Sequence, residues 1–388
     1  MSFDPAAATA AYIDSLGPEA LAKAAAYTSG SHWLLLWGLL VSALATWVIV
    51  RLGWLDRLQA RLGARRNWAA FLVSAATFAL LAILTLPWSL WTDFFRERAY
   101  GRTSQPLADW LGQWALASAI TVMLAGLFFM GVYALIRRAR GRWWLWASGL
   151  AAVAVTALLL AGPVFIAPLF NQYTPLPEGP VRTALEAQAI EAGVPTDRIF
   201  VYDGSRQSNN FTANVSGIFG SARIAISDVA LKGADLDEVE AVTGHEIGHY
   251  VLGHVWRSVA LLVGLALIFF FLIDRLYPRF AALFGSSAAL DQPAGLPVIL
   301  FMASLFGLLA TPLQTALTRQ GEREADRYSL ETVGKPDALA RALVKTADYR
   351  DPRPHPIAEA LFMTHPSVER RVRAAMEWKA ANATRDAG

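Results

Sequence analysis

The chain has 388 residues, of which 55% are hydrophobic and only 17% charged, with a mean hydropathy of +0.37. That balance excludes an ordinary soluble domain and makes this a membrane protein. Cysteine is absent, so disulfides and thiolate metal sites are excluded and any metal must rest on histidine and carboxylate, while the net charge of +3 lies in short clusters beside apolar stretches, which suits membrane orientation and not nucleic-acid binding.

Residues 1–31 are alanine-rich, lack a charged stretch leading into a short apolar core, and are expected to form an interfacial helix, not a cleavable signal peptide. Residues 33–50 are the first stretch apolar enough to span, anchored by Trp33 and Trp37 and followed by Arg51. A loop with Arg57, Arg61, Arg65 and Arg66 leads to a second span, 68–91, which Pro87 should end or kink. Residues 114–136 and 143–165 give two more spans around the cluster Arg137, Arg138, Arg140 and Arg142, and Pro163 and Pro168 break the last of them.

From residue 171 the character changes. Pro175, Pro177 and Pro180 read as a rigid connector, 181–192 has helical periodicity, and 198–202, 211–217 and 222–227 read as short strands, so a soluble α+β unit begins here. Asp235 and Glu238 then read as an N-cap and an acid three residues on, with Leu236, Val239, Val242 and Ile247 at helical spacing behind them. His245 and His249 lie four apart on this helix, so both imidazoles leave one face. Two imidazoles so fixed can hold one Zn²⁺, and the adjacent Glu246 can serve as general base toward the metal's water, as in a zinc peptidase. The helix start is too acidic to lie in lipid, which places the metal at a water-accessible surface.

A catalytic zinc usually takes a third protein ligand. A histidine six residues after His249 would supply it in one known pattern, but position 255 is Val and His254 comes one residue early; His254, His355 and His32 are read as structural. The stretch Gln320 to Asp326 is the better source, with Glu322 as ligand and Asp326, four residues on, as the acceptor that orients a ligating ring, while Glu324 points elsewhere. On charge pattern alone this stretch reads better as a solvated, salt-bridged helix, because Arg323 and Arg327 are interleaved with the acids. Residues 258–273 and 296–316 are two further spans, and as a hairpin they would return Glu322 to the two histidines. Residues 337–388 read as soluble and helical, with His365-Pro366-Ser367 opening a helix that ends near Trp378.

The motif HEIGHYVLGH (245–254), Glu322 with Asp326, and Thr364-His365-Pro366-Ser367 together resemble the CAAX prenyl protease 1 family of multispanning zinc metallopeptidases. The resemblance extends to Leu86-Pro87-Trp88-Ser89-Leu90, to 166–170 and to 173–179, and covers most of the chain from Leu86 to Arg373. It implies that His365 helps stabilise an oxyanion with Arg371 nearby, that Thr212, Ala213 and Asn214 form a strand edge that pairs with substrate, and that 93–109 enters the protein body. The family usually has Asn where this chain has Thr212, which puts that side-chain contact in doubt but not the backbone pairing.

The expected fold is therefore a mainly α membrane protein of about six transmembrane helices. Its parts are a four-span region (1–170), a membrane hairpin (256–317), and a small zincin-like α+β catalytic domain formed from 171–255 and 318–388. The expected function is zinc-dependent peptide hydrolysis by a monomer with one Zn²⁺ and no nucleic-acid partner. By the resemblance the substrate is a prenylated C-terminal CAAX peptide, with a membrane-protein quality-control peptidase that has no prenyl requirement as the alternative. A non-enzymatic scaffold or zinc transporter fits poorly, because the acids are almost confined to loops. Orientation is in conflict: the Arg-rich loops 51–66 and 137–142 fall on the side opposite the zinc segment, so the positive-inside rule puts the site outside, whereas the resemblance, which is followed here, puts it in the cytoplasm.

Overall fold

The computed structural model describes residues 3–62, 66–217 and 221–383. Helices α1 (Pro5–Asp14), α2 (Gly17–Leu52), α3 (Trp54–Leu62), α4 (Arg66–Ser89), α5 (Arg96–Ala99), α6 (Leu107–Ala139) and α7 (Trp143–Ala161) come first. The middle of the chain gives β1 (Tyr173–Pro175), α8 (Pro180–Glu191), β2 (Ile199–Tyr202), β3 (Ala213–Ser216), β4 (Arg223–Ser227), α9 (Asp228–Gly233) and α10 (Leu236–Val251). The long helices α11 (His254–Phe284) and α12 (Leu296–Val333) follow, and α13 (Pro336–Lys345), α14 (Pro356–Phe362) and α15 (Val368–Ala383) close the chain.

Five helical runs among the described residues are long and apolar enough to cross a membrane: 17–52, 67–99, 107–169, 254–284 and 293–333. The six expected spans all fall within them, because the third run contains two and doubles back at Arg140. That residue takes a positive φ of 44°, the only non-glycine to do so among those described, and Gly131 of α6 then faces Leu150 of α7. The bundle core is apolar and aromatic, with Tyr133, Ile273, Tyr277, Leu296 and Met302 at its centre. Outside it, large side chains such as Leu44, Val153 and Leu309 stand exposed on the spans, as a lipid solvent requires.

Two expectations are corrected here. Pro87 does not end the second span: the helix continues through a wide turn over Leu90–Phe95 to Ala99, and Thr92 Oγ1 caps the loosened carbonyls of Trp88 (3.1 Å) and Ser89 (3.4 Å). Residues 1–31 do not form one interfacial helix either. They split at Gly17, and α1 docks on α13 and α15, with Ile13 fully buried among Leu339, Val372 and Met376 and the Tyr12 hydroxyl donating to Asp337. That seat removes the Ile13 side chain fully from water.

The sheet has strand order β1-β2-β4-β3, with β2 and β4 parallel and the outer pairs antiparallel, so β3 is one edge. β1 occupies the stretch expected to be only a connector; its Pro175 is tolerable because β1 is the other edge. One face of the sheet packs on α8, α9 and α10 through Leu185, Ile224, Ile226, Val239 and Ile247. The segment 101–109 docks on the loop after β2, with Thr103 Oγ1 donating to the Gln207 carbonyl (2.8 Å) and Arg206 pairing with Asp109 (2.6 Å). The Arg-rich turns gather at the opposite end of the bundle, where Arg137 bonds Asn67, Gln59 accepts from Ala294 N–H, and Arg51 lies beside Gly285.

Candidate metal centre and active-site cleft

Helix α10 starts as its sequence requires. Asp235 accepts from Glu238 N–H at 2.8 Å and the Glu238 carboxylate accepts from Asp235 N–H at 3.0 Å, a reciprocal cap that fixes where the helix, and therefore each histidine, begins. Gly244 and Gly248, each just before a histidine, form a bare strip facing α12. A Cβ at 244 would lie 2.6 Å from Val333 Cγ2, and one at 248 would lie 3.2 Å from the Ala325 Cα. The two helices therefore approach at backbone distance, locked by Ser329 Oγ donating to the Ala241 carbonyl (2.6 Å).

This approach brings Glu322 of α12 against both rings of α10. His245 Nε2 and His249 Nε2 are 3.2 Å apart, and each lies 3.4 Å from a Glu322 oxygen. A tetrahedral ion about 2.0–2.1 Å from each donor needs donors roughly 3.3–3.4 Å apart, and the two imidazole nitrogens, each with a different oxygen of the Glu322 carboxylate 3.4 Å away, are spaced as a zinc site requires. Glu322 Oε2 is buried and without a hydrogen-bond partner, a cost that a cation would remove. His245, His249 and Glu322 are thus able to hold a metal ion.

Each ring has its far nitrogen engaged. Asp326 Oδ1 accepts from His245 Nδ1 at 2.9 Å, and Arg371 forks onto the same carboxylate at 2.6 and 2.7 Å. Arg371, expected beside substrate, is itself buried and its guanidinium is directed at Asp326 and, at 3.5 Å, at Glu322. His254, read as structural, instead faces His249, with Nδ1 2.8 Å from His249 Nδ1 and Nε2 2.9 Å from Glu324. Its signal in the sequence was the fifth-residue spacing from His249, and the spacing of the glycines was the missed signal for the helix approach.

His365 Nε2 lies 3.3 Å from Glu322 Oε1, while its Nδ1 lies 2.8 Å from the Thr364 hydroxyl. Burial and the Arg350 charge push its pKa down to about 3, so the ring is neutral; the carboxylate at Nε2 puts the proton there and leaves Nδ1 to accept from Thr364. Helix α15 opens at Val368, with Ser367 capping it three residues after the position expected. His355 caps α14, and His32 lies against Phe362.

Glu246 lines a cleft of about 200 Å³ with His245, Glu322, His365 and Arg371, bounded by Thr212 and Ala213 at the β3 edge and by Leu339, Ala342 and Leu343 of α13. Burial raises the pKa of Glu246 above the usual carboxylate value, against the lowering effect of the two histidines. Asn214 follows on the same edge strand. Arg350 also lines the cleft, over the Tyr349 ring at 5.2 Å, and has no hydrogen-bond or ion-pair partner among the described residues. A larger cavity of about 700 Å³ backs onto Asp326 and Arg371 but includes none of the three donors.

A multi-helix membrane fold with a metal-ready pair of histidines and a glutamate beside a buried acid defines a membrane metallopeptidase. Residues 175–379 match the model of peptidase family M48, and 5–172 match the CAAX prenyl protease N-terminal model, described as five membrane helices. The chain belongs to peptidase family M48. It is 29% identical over 316 residues to an uncharacterized metalloprotease, YhfN, of Bacillus subtilis, covering 79% of this chain and 73% of that one. It is 28% identical to CAAX prenyl protease 1 of Saccharomyces cerevisiae, covering 76% and 69%. The crystal structure of Ste24p from S. mikatae shares the fold with a TM-score of 0.70 at 24% identity, covering 79% of this chain and 76% of that one.

Proposed function

We propose that this chain is a zinc metalloendopeptidase that holds one Zn²⁺ on His245, His249 and Glu322 and hydrolyses C-terminal CAAX-type prenylated, or similar membrane-associated, peptides. The observation that carries the metal is the convergence of His245 Nε2 and His249 Nε2, 3.2 Å apart, on the Glu322 carboxylate, which sets a different oxygen 3.4 Å from each ring and whose buried Oε2 has no hydrogen-bond partner. Zinc bound there supplies a Lewis acid that polarises the scissile carbonyl and acidifies water. Glu246 accepts the proton of the attacking water on its carboxylate and returns it to the leaving amine, and its raised pKa suits both transfers. His365, neutral and with its proton on Nε2, donates toward the developing oxyanion. The free edge of β3 at Thr212, Ala213 and Asn214 pairs with the extended substrate backbone. Arg371 acts through the carboxylate it holds, Asp326.

Arg350 supports a substrate that ends in the cleft. An unpaired guanidinium lined up with an apolar α13 wall suits a free carboxylate next to an apolar residue. A quality-control peptidase without prenyl requirement is the second reading, with which the similarity to the Bacillus subtilis metalloprotease is also compatible. Chelator-sensitive hydrolysis of a farnesylated peptide acid, its unprenylated twin and its C-terminal amide tests both. The farnesylated acid is expected to be cut fastest; equal rates on all three would favour the second reading, and no chelator-sensitive hydrolysis of any would contradict both. The catalytic end is assigned to the cytoplasmic face, following the resemblance, and a reporter fused after Gly388 should be active there and silent outside.

A further inference from the structure

The far nitrogen of His245 is held by a carboxylate and an arginine in line, Asp326 and Arg371. His249 has a longer counterpart. Its Nδ1 lies 2.8 Å from His254 Nδ1, the other nitrogen of His254 lies 2.9 Å from Glu324 Oε2, and Arg257 and Gln320 bond the Glu324 carboxylate. We propose that His254 and Glu324 are positioning residues that hold His249 in the tautomer and orientation able to ligate the metal; this rests on the zinc reading above.

The direction of the hydrogen bonds follows from the end of the chain. A carboxylate paired with Arg257 accepts, so His254 Nε2 carries a proton and donates to Glu324. In the neutral ring this leaves a lone pair on His254 Nδ1, which must accept from His249 Nδ1–H. The lone pair of His249 is then confined to Nε2, the atom that sits 3.2 Å from His245 Nε2 and 3.4 Å from Glu322. Without the relay, His249 could carry its proton on Nε2 and present no donor, or rotate about its side chain.

The surroundings are shaped for this ring. His254 is buried at the first turn of α11, where Gly253 takes a left-handed φ of 66° that lets α10 end and α11 start within two residues. Position 321 is also glycine: a Cβ there would lie 3.2 Å from His254 Nδ1 and 3.5 Å from its Cε1, in the space the ring uses. Helix α12 therefore carries the ligand Glu322 and two outer carboxylates, Glu324 reaching His249 through His254 and Asp326 reaching His245 directly. Neither half of the relay lies in the cleft lining, so its effect is through His249.

The test is zinc affinity of the purified full-length protein in detergent, measured by chelator competition, with the visible spectrum of the Co²⁺ form as a second readout. Loss of an outer partner of a metal-binding histidine commonly lowers affinity about 10–100-fold. His254→Ala and Glu324→Gln are each expected to lower zinc affinity in that range and shift the Co²⁺ spectrum, and the double variant should be no weaker than His254→Ala, because the two act in series. His254→Gln, whose amide can accept from His249 and donate to Glu324, should recover most of the affinity, and it keeps the test open should the alanine variant fold poorly. Wild-type zinc affinity in all three variants would overturn the relay while leaving the metal site standing; absence of zinc binding by the wild type would instead overturn the metal reading itself.

Discussion

Glu246 and His245 sit side by side on α10 and respond to burial in opposite ways. Burial, helped by the Glu322 charge, raises Glu246, a base that need not touch the metal, so Glu246→Gln should keep its zinc and lose about 10²–10⁴-fold in turnover, read by metal content and initial rates together. For His245, burial would lower the pKa, but hydrogen bonds to Asp326 and Glu322 outweigh it and raise the value to about 9. The sign follows directly. The charged ring stabilises the protein fully below its unfolded value near 6.5 and ceases to do so as pH rises through about 9. A ligating ring must be neutral, so zinc affinity should run the other way, climbing with pH by about tenfold per unit below about 9 and levelling beyond. A flat profile from titrations at several pH values would contradict this. At this scale the sequence was most informative: the four-residue spacing of His245 and His249 needs only helix geometry, and Glu246 follows by adjacency. The contacts of His254 were not legible, because a lone histidine beyond the helix end carries no periodicity and its partner Glu324 lies seventy residues away.

Helices α10 and α12 decide whether three donors become one site. Their closeness depends on two missing side chains, and Gly244→Ala would drive a methyl to 2.6 Å from Val333 Cγ2. Moving the helices apart should cost about 1–3 kcal/mol of stability, measured by denaturation in detergent, and should weaken zinc binding as well. Unchanged stability and affinity would mean that α12 holds its place by other contacts. The glycine spacing was present in the sequence, yet glycine gives no hydrophobic pattern and was read as nothing. The cap at Asp235 was legible because both partners of the box lie within four residues. The continuation past Pro87 was not, since the wide turn over Leu90–Phe95 depends on where Thr92 finds its carbonyls. Likewise, Ile13 offered no hint that α1 would leave the interface for α13 and α15, since that seat is built from residues more than three hundred positions away.

For the molecule as a whole, the fold brings the first and last described helices, α1 and α15, to one place. The apolar runs were plain in the composition, as was the return of α12 to the side of α10, because a membrane hairpin leaves both its ends on the same face. The exact reach of each span was less plain, since α2 and α12 run on as helices well beyond their apolar lengths into the catalytic end. In α12 that overrun carries Glu322, the proposed third metal ligand, on a helix long and apolar enough to cross the membrane. Helix α12 thus joins the bundle to the candidate site, and a metal bound there should depend on residues separated by 73 to 77 positions in the chain. Zinc bound per chain after exhaustive dialysis, compared between the wild type and Glu322→Ala, tests this most directly. One zinc in the wild type and essentially none in the variant is the predicted result; equal zinc in the two would contradict it.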